Sequence, residues 1–392
     1  MKAKLFKRVL AMTAATVLSV ATLVGCGGAS ERASGEAASN VTATDGGTIL
    51  WMSNLSSGAQ YDAMVAYGTK LCEQMGYNLK IVYGDGFNDP DGNLTAVKNG
   101  MTSDVKGILV SQDGGIQAIM DEYPDIPVAA FNTDMNSVFS EDANIASNAA
   151  VKDYPNFLGT IADGHIDGAD TAKQNFEFVK EQGYDKIGVV TFPGYAYPNL
   201  QVAADTMVSL CDEAGVEIVG GVVTLEFQPL DESYFQEAGR DDLDCIVALC
   251  AGTTFVYPTM VQAKADGLCS ADTKLVTSGF DNDPSLIADI GEEGTIGYLT
   301  ISPCENIGYG LTLLDKAIKG EMYDDFVCER IDSAEYVIDS KEDIDNVMSK
   351  SVLANNDYND AQISYEDLQA CASFADLQAL FHSEQIMVDA LK

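Results

Sequence analysis

The chain has 392 residues, of which 60 are Asp or Glu and 22 are Lys or Arg, so its formal net charge at pH 7 is −38. A surface this acidic repels nucleic-acid phosphates and anionic lipid headgroups, which argues against nucleic-acid binding and against direct binding to a membrane surface. The chain is too long for one ordinary domain, and 46% of its residues are hydrophobic, so two domains with separate cores are expected.

The N-terminal segment has the pattern of an export leader. Four basic residues near the start precede an uncharged apolar stretch from 9 to 24, which is slightly short for a membrane span. Residues 23–26, at the end of this stretch and just beyond it, read Leu-Val-Gly-Cys and resemble the bacterial lipoprotein box, so Cys26 is the predicted lipidation site and 1–25 the predicted signal peptide. An ordinary leader or an uncleaved anchor is the alternative. The small, polar segment 26–45 is predicted to be a flexible tether.

From residue 48 onward, short β-branched runs alternate with segments of helical period. Between residues 48 and 149, four strands are predicted: TILWMSN, NLKIVYGD, KGILVSQD and IPVAAFNTD. The helical segments between them begin with AQYDAM, NLTAVK and GIQAIM. Strands joined by crossover helices of this length predict a parallel sheet with helices on both faces.

After residue 149 the alternation restarts. A long helical stretch is predicted from 155 to 183, and the strands DKIGVVTFPG, VEIVGGVVTLEF, DCIVALCAG and KLVTSGFD follow, with a short helix near 231 to 239. The predicted fold class is therefore α/β, with two doubly wound parallel-sheet domains in tandem. One large sheet is the alternative.

The loops that follow the strands supply the candidate ligand-binding residues, because ligands of doubly wound sheets gather beyond the carboxyl ends of the strands. These loops contain amides, hydroxyls, carboxylates and many aromatic rings, but no Lys and no Arg. Anionic ligands usually need a basic side chain or a glycine-rich helix N-terminus, so a neutral polyol, sugar or nucleoside is favoured. The loops are 53–61, 85–88, 111–114, 132–134, 192–199, 227, 251–257, 281–283 and 302–304.

Motifs of cofactor and catalytic sites are missing from the sequence. It contains no dinucleotide fingerprint, no phosphate-binding loop and no GxSxG, HExxH or CxxC motif, and it has only two histidines. We therefore predict no cofactor, no metal site and no enzymatic activity.

Over residues 48–338 the chain resembles the type 1 periplasmic binding proteins of the ribose-binding kind, which are receptors of ABC sugar importers. The most specific match is the block from 275 to 303 with the glycine-containing helix that follows it to 320. The resemblance implies a monomeric lipoprotein on the extracytoplasmic face of a bacterial membrane, which passes a neutral sugar to ABC permease subunits. Other matching segments are GYNLKIVYGD, KGILVSQD, IPVAAFNTD, ANIASN, GYDKIGVV and DCIVALCAG.

The resemblance also implies ligand-binding residues. In this family the strand ending in Gly-Phe-Asp carries a carboxylate that hydrogen-bonds ligand hydroxyls, and Asp281 has that position here. Asp283, just before Pro284, is predicted instead to cap the next helix. The full predicted ligand set is Asp281, Gln60, Tyr61, Asn132, Asp134, Asn199, Phe227, Ala251 and Ser302.

The residues in three of these loops depart from the family pattern. Gln60 and Tyr61 occupy the places of an aromatic pair, so one ring is retained. The loop after the fourth strand often has Asp-Arg and here reads Asn-Thr-Asp from Asn132 to Asp134, and no arginine stands near Asn199. The implied ligand is therefore not ribose bound in the usual way.

Two lobes joined by a hinge are implied as well. Three crossings are expected near residues 147, 279 and 302, and closure of the lobes would enclose the ligand. The predicted N-terminal lobe comprises 46–147 and 280–302, and the predicted C-terminal lobe comprises 148–279 and 303–338.

Residues 339–392 extend beyond the usual end of the family. SYEDLQACASFADLQALF contains Ser364 and Asp367 in a capping-box pattern, which predicts a helix docked on one lobe. A partner-binding role for this extension stays open. Eight cysteines follow Cys26, mostly in apolar segments, and the sequence does not decide whether they pair or stay reduced.

Two other functions stay open at this point. A ligand sensor for a membrane receptor or kinase would use the same cleft with a different partner. A glycoside-active enzyme would use carboxylates such as Asp85, Asp134 and Asp281 as acid and base, and is less favoured.

Overall fold

The computed structural model describes residues 46–84, 89–139 and 154–383. The predicted signal peptide, the predicted lipidation site Cys26 and the predicted tether lie outside these residues. Within the described ranges, no helix is both long enough and apolar enough to span a membrane.

The first of two six-stranded sheets is entirely parallel. Its order is β11-β5-β4-β3-β1-β2. The apolar run of β1 is buried along its whole length, as expected for a strand covered by helices on both faces. The strands are β1 (Thr48–Ser53), β2 (Asn78–Tyr83), β3 (Val105–Val110), β4 (Val128–Phe131), β5 (Phe157–Ile161) and β11 (Arg330–Ile331).

The second sheet repeats this topology. Its order is β12-β10-β9-β8-β6-β7, and its pairs are parallel except for β12, which is antiparallel to β10. Two doubly wound domains are therefore confirmed, and the single-sheet alternative is wrong. The strands are β6 (Lys186–Thr191), β7 (Glu217–Thr224), β8 (Cys245–Ala248), β9 (Lys274–Ser278), β10 (Ile296–Ile301) and β12 (Tyr336–Ile338).

Helix ends follow local sequence signals. Asp89 accepts the backbone N–H of Gly92 and precedes Pro90, which fixes the start of α2, and Gly76 ends α1 in the left-handed conformation. The helices are α1 (Ala59–Met75), α2 (Pro90–Gly100), α3 (Ile116–Glu122), α4 (Asn136–Phe139), α5 (Gly168–Glu181), α6 (Pro198–Ala214), α7 (Gly252–Phe255), α8 (Tyr257–Ala265), α9 (Pro284–Ala288), α10 (Asn306–Lys319), α11 (Lys341–Lys350), α12 (Val352–Asn355), α13 (Tyr365–Ala370) and α14 (Phe374–Phe381), with 3₁₀ turns at Glu232–Gln236 and Tyr358–Asp360.

The long helix predicted from 155 to 183 is wrong in its first part, where β5 precedes α5. Gly159 in β5 has φ +106°, and a Cβ atom there would lie 2.4 Å from the carbonyl oxygen of Glu329. Glycine is therefore required for the close approach of the chain that leads into β11.

The predicted lobe boundaries need correction. The strand at 296–301, predicted for the N-terminal lobe, pairs with β9 in the second sheet, and β5, predicted for the C-terminal lobe, pairs with β4 in the first. Helix α10 packs on β3, β4 and β5 of the first sheet. The observed crossings therefore lie between β5 and α5, between β10 and α10, and between β11 and β12. Of the predicted positions, only 302 matches.

The C-terminal extension as a whole contacts both lobes, but the segment predicted to dock as a helix contacts the first lobe, where α14 packs on α10. Helix α11 packs on β12 of the second lobe, whereas α12 packs on α1 of the first. The Tyr67 hydroxyl of α1 donates to the carbonyl oxygen of Ile363 at 2.9 Å. The predicted capping box of Ser364 and Asp367 is confirmed, but a second box at Ser373 splits the predicted helix into α13 and α14.

The eight cysteines within the described residues are all unpaired. Seven of them are buried and Cys328 is half-buried. They therefore pack as small apolar side chains.

Candidate ligand-binding cleft

The carboxyl ends of the strands of both sheets lie at the junction of the lobes. Two crossings begin at the carboxyl ends of β5 and β11 in the first sheet, and one begins at the carboxyl end of β10 in the second. The crossing from β11 leads directly to β12, whose first residue pairs with the last residue of β10. The two strand-end surfaces therefore border one cleft, which is where doubly wound sheets bind ligands.

The loop after β4 is held in an uncommon conformation. Asn132 has φ +50° and Met135 has φ +49°, both in the left-handed region that non-glycine residues seldom adopt. The side-chain amide of Asn306, at the start of α10, donates to Asn132 Oδ1 and to Ser333 Oγ, both at 3.0 Å. Strained backbone held by side chains from two crossings is typical of functional sites.

Asp134 lies in this loop among charged neighbours. Burial raises the pKa of its carboxyl to about 6, the nearby Arg330 opposes that rise, and Asp163 and Asp113 add to it. A carboxyl with this pKa is ionised at neutral pH and becomes neutral in mild acid. It can therefore accept hydrogen bonds at neutral pH.

Asp163 occupies the crossing between β5 and α5. The residue is exposed to solvent in part, yet burial of its carboxyl raises the pKa, and a hydrogen bond from the Ser302 hydroxyl opposes the rise. The Gln60 side-chain amide of α1 donates to the carbonyl oxygen of Ser302 at 3.3 Å. Predicted ligand residues Gln60 and Ser302 therefore meet beside Asp163.

A further acid, Glu335, lies in the crossing from β11 to β12. Burial raises its pKa to about 8, Asp163 and Asp332 add to the rise, and a hydrogen bond with Thr300 opposes it. An added Cβ at Gly164 would lie 3.0 Å from the Glu335 carboxyl. Acidic side chains of two crossings are therefore packed together at the hinge.

The second-sheet side of the cleft is aromatic. Phe192, at the end of β6, has its ring centroid 5.3 Å from that of Phe227 and 4.9 Å from that of Phe255. Phe227 has φ +56°, a strained conformation for an aromatic residue. Tyr195 and Tyr197 lie over Phe227 and are 74% and 44% exposed. This cluster therefore exposes the aromatic side chains of Tyr195 and Tyr197 to the solvent.

Electrostatics link the two sides of the cleft. Burial raises the pKa of Tyr197, and the next causes are the carboxylates Asp163 and Asp134 of the first lobe. Tyr197 belongs to the second lobe, whereas Asp134 lies in a loop of the first. The effect of these carboxylates on its pKa means that the Tyr197 hydroxyl lies near them. The acidic and the aromatic surfaces therefore face the same space.

Three aromatic rings of the first lobe pack against one another near the ends of β1 and β4. Trp51 is fully buried, and its indole N–H donates to Ser111 Oγ at 3.3 Å. Its ring centroid is 5.8 Å from that of Tyr61 and 5.5 Å from that of Phe131. Tyr61 is only 7% exposed and shares a 2.7 Å hydrogen bond with the Tyr83 hydroxyl. Its role as a ligand residue stays a prediction.

The two carboxylates after β9 have different environments. Asp283 accepts the backbone N–H groups of Ser285 and Leu286, so its predicted helix cap is confirmed. Asp281 is exposed and accepts the backbone N–H of Asp283 at 3.1 Å. Its predicted contact with ligand stays a prediction.

Two other predicted residues lie at helix starts in the second lobe. Asn199 is in the first turn of α6, and its Oδ1 atom is shielded from solvent without a hydrogen-bond donor among the described residues. Ala251 is the residue before α7.

Sequence reasoning missed Arg330. The strand-end loops contain no basic residue, but β11 brings Arg330 beside the β4 loop, where it donates to Asn136 Oδ1 at 3.0 Å. The strand-end loops carry no cation, but the cleft has one, because the strand β11 supplies Arg330. A two-residue strand has no detectable period, so the sequence held no signal that could have placed Arg330 there.

A separate groove lies outside the cleft. It has a volume of about 420 Å³ and is bounded by Val65, Thr69 and Glu73 of α1 and by residues 356–359 of the extension. All of its walls belong to one face of the first lobe and the extension, so closure of the lobes would not act on it. Among the described residues, no His, Cys, Asp and Glu cluster has the arrangement of a metal site.

Solved structures share this architecture. The periplasmic ribose ABC transporter protein of Conexibacter woesei DSM 14684 has a TM-score of 0.56 and 13% identity, covering 79% of this chain and 96% of that one. A carbohydrate transporter of Acidothermus cellulolyticus 11B, solved with myo-inositol, has a TM-score of 0.53 and 14% identity, covering 79% and 99%. The chain has the periplasmic binding-protein fold.

A protein with this fold can also be a repressor and not a transporter component. The trehalose repressor of Escherichia coli has a TM-score of 0.52 and 10% identity, covering 75% of this chain and 99% of the repressor. No family model matches the sequence, and no curated protein matches it. At identities this low the likeness shows the fold alone, so function must be argued from the site.

Proposed function

We propose that this protein captures a neutral sugar, or a related polyhydroxylated ligand, between its lobes and delivers it to an ABC importer. The observation that carries the proposal is the opposition of carboxylates and amides on the first-sheet side to exposed rings on the second. Carboxylates and amides hydrogen-bond hydroxyl groups, and rings cover the apolar face of a sugar. The ribose and myo-inositol named for structures of this fold support the ligand class.

The charge of the cleft supports an uncharged ligand. Arg330 already donates to Asn136 and to the backbone carbonyl of Asp134, so its donors are partly used. Asp134 interacts with Arg330, and Asp163 is a second acid near Asp134. A sugar phosphate would meet repulsion from these carboxylates, so the parent sugar should bind more tightly.

The residues would divide the work between the lobes. Asn132 and Asp134 would hydrogen-bond the ligand from the first lobe, while Asp281 would accept from its hydroxyls in the second. Tyr197 and Phe227 would pack on the ring. The hinge formed by the crossings would allow the lobes to close.

Membrane attachment belongs to the same proposal. A lipid on Cys26 would hold the monomeric receptor next to the permease subunits of the importer. Cys26→Ser should move the protein from the membrane fraction to the medium, or leave an uncleaved precursor. A mature, membrane-bound form of this variant would contradict lipid attachment. Neighbouring permease and ATPase genes are expected, and a histidine kinase gene in their place would favour a sensor.

A thermal-shift screen tests the ligand class directly. D-Ribose, D-arabinose and myo-inositol are the probes, and ribose 5-phosphate is the charged control. A ligand at about 100 times its dissociation constant stabilises the native state by roughly 2.7 kcal/mol, which gives a clear rise in melting temperature. A panel of neutral sugars, polyols and nucleosides without any shift, or tighter binding of the phosphate, would contradict the proposal.

A further inference from the structure

We propose that Arg330 is a positioning residue that holds the β4 loop in its ligand-binding conformation and acts on the ligand through Asp134. The inference rests on the proposed function, because it takes the β4 loop to be part of the sugar site. It assigns a role in ligand binding to Arg330, a residue of β11 that lies in none of the predicted ligand-binding loops.

The contacts of Arg330 bracket the loop. One guanidinium N–H donor lies 3.0 Å from Asn136 Oδ1 and 3.4 Å from the backbone oxygen of Asp134. The guanidinium carbon lies 5.9 Å from the ring centroid of Phe139 in α4. Arg330 therefore contacts the loop at its acid, at the first residue of α4 and at the last residue of α4.

The loop needs such a support. Asn132 and Met135 both adopt left-handed backbone conformations that cost free energy, so the chain will relax unless neighbours hold it. Asn306 holds the first end of the loop through Asn132, and Arg330 holds the second end through Asn136. Asp134 lies between these two supports, so its carboxyl direction depends on both.

The guanidinium also acts on Asp134 through its charge. The groups that face this carboxyl are Arg330 from β11, Asp163 from the first crossing, Asp113 from the loop after β3 and Tyr197 from α6. Arg330 is the one cation in that set, and it opposes the rise in pKa caused by burial and by the other acids. Its removal should therefore raise the pKa of Asp134 above about 6 and reduce the ionised fraction at neutral pH.

Two substitutions separate charge from contact. Arg330→Gln removes the charge, and Arg330→Lys keeps the charge but cannot reach both acceptors with a rigid guanidinium. Lys316→Gln is the matched control, because it removes a cation that lies over the ring of Tyr323 at the far end of α10. Circular dichroism and thermal unfolding establish that each variant is folded.

The decisive readouts are the titration of the Asp134 carboxyl by carbon-13 NMR and the affinity for whichever of D-ribose, D-arabinose or myo-inositol the wild type binds. The NMR signal is assigned with Asp134→Asn. In Arg330→Gln the midpoint should move to higher pH and the affinity at pH 7 should fall by about tenfold or more. Arg330→Lys should restore the midpoint and part of the affinity, and Lys316→Gln should change neither.

An unchanged Asp134 midpoint in folded Arg330→Gln would overturn the inference, as would a raised midpoint with unchanged sugar affinity. If the wild type binds no sugar, the proposed function fails instead. The carboxyl titration then still decides whether Arg330 acts on Asp134, since it needs no ligand.

Discussion

The two lobes have the same strand order but opposite chemistry at their strand ends. The first-sheet side carries acids whose pKa values are raised by burial, Asp134 and Asp163, whereas the second-sheet side carries the exposed rings of Tyr195 and Tyr197. The two sheets have the same topology, but the loops at their strand ends differ. The sheets therefore position the cleft, and the residues in the loops select the ligand. The cost of burying charge falls at the junction of the lobes, where Asp163 and Glu335 lie in two crossings.

That cost predicts the largest effect. Glu335→Gln should raise the free energy of unfolding by about 2–4 kcal/mol above pH 8, because it removes a carboxyl that at this pH is charged in a buried position and close to other acids. The folded protein keeps this carboxyl protonated up to about pH 8, whereas the unfolded chain releases the proton near its ordinary value of 4.5. The wild-type stabilisation is therefore present below about pH 4.5 and is lost as the pH rises through about 8.

Urea unfolding between pH 4 and pH 9 checks this sign. The difference between Glu335→Gln and the wild type should grow with pH across that window. Glu342→Gln, at an exposed position of α11, is the matched control and should follow the wild type. Parallel pH profiles for all three proteins would show that ionisation of Glu335 in the folded protein costs no stability, which would contradict this prediction.

Removal of a ligand-binding carboxylate should have the next largest effect. Asp281→Ala should weaken sugar binding by about tenfold or more, because hydrogen bonds to a charged acceptor contribute roughly 1.5–3 kcal/mol. Asp283→Ala is its matched control: it should cost about 1 kcal/mol of stability from the lost cap and leave binding nearly intact. Calorimetric titration and thermal unfolding of both variants check the pair, and the reverse pattern would exclude Asp281 as the ligand carboxylate.

The aromatic side should contribute less per residue. Tyr197→Ala should weaken sugar binding by about two- to tenfold, as expected for loss of ring packing worth roughly 0.5–1.5 kcal/mol. Tyr197→Phe keeps the ring and should bind almost as the wild type does. Titration followed by the fluorescence of Trp51 compares them. Equal losses in both variants would assign the effect to the hydroxyl group and not to the ring.

The sequence predicted the parts of the fold that have strong local signals. Alternating apolar strands and amphipathic helices predicted both sheets, and Ser364 with Asp367 predicted a helix start that the structure confirms. The strand β5 was hidden because its five residues precede the strong helical period of α5. The loop list placed Asn132, Asp134 and Ser302 at the cleft because ligand sites of doubly wound sheets lie beyond the carboxyl ends of the strands, and their contact with ligand stays a prediction.

Long-range pairing could not be predicted in the same way. The sequence does not show that β10 joins β9, since strand order carries no local signal, and the predicted lobe boundaries were therefore wrong there. Arg330 was missed for the same reason, because only pairing of β11 with β5 brings it to the cleft. The raised pKa of Asp134 depends first on burial and then on acids from separate segments, and neither can be read from the sequence.

A crystal structure with a bound neutral sugar tests the central claim most directly, because the claim concerns which two surfaces hold one ligand. The sugar should lie between the strand-end surfaces, with hydroxyl oxygens about 3 Å from a carboxylate of Asp134 or Asp281 and with its ring on Tyr197 or Phe227. A sugar bound in the groove between α1 and residues 356–359, or held by one lobe alone, would contradict the account.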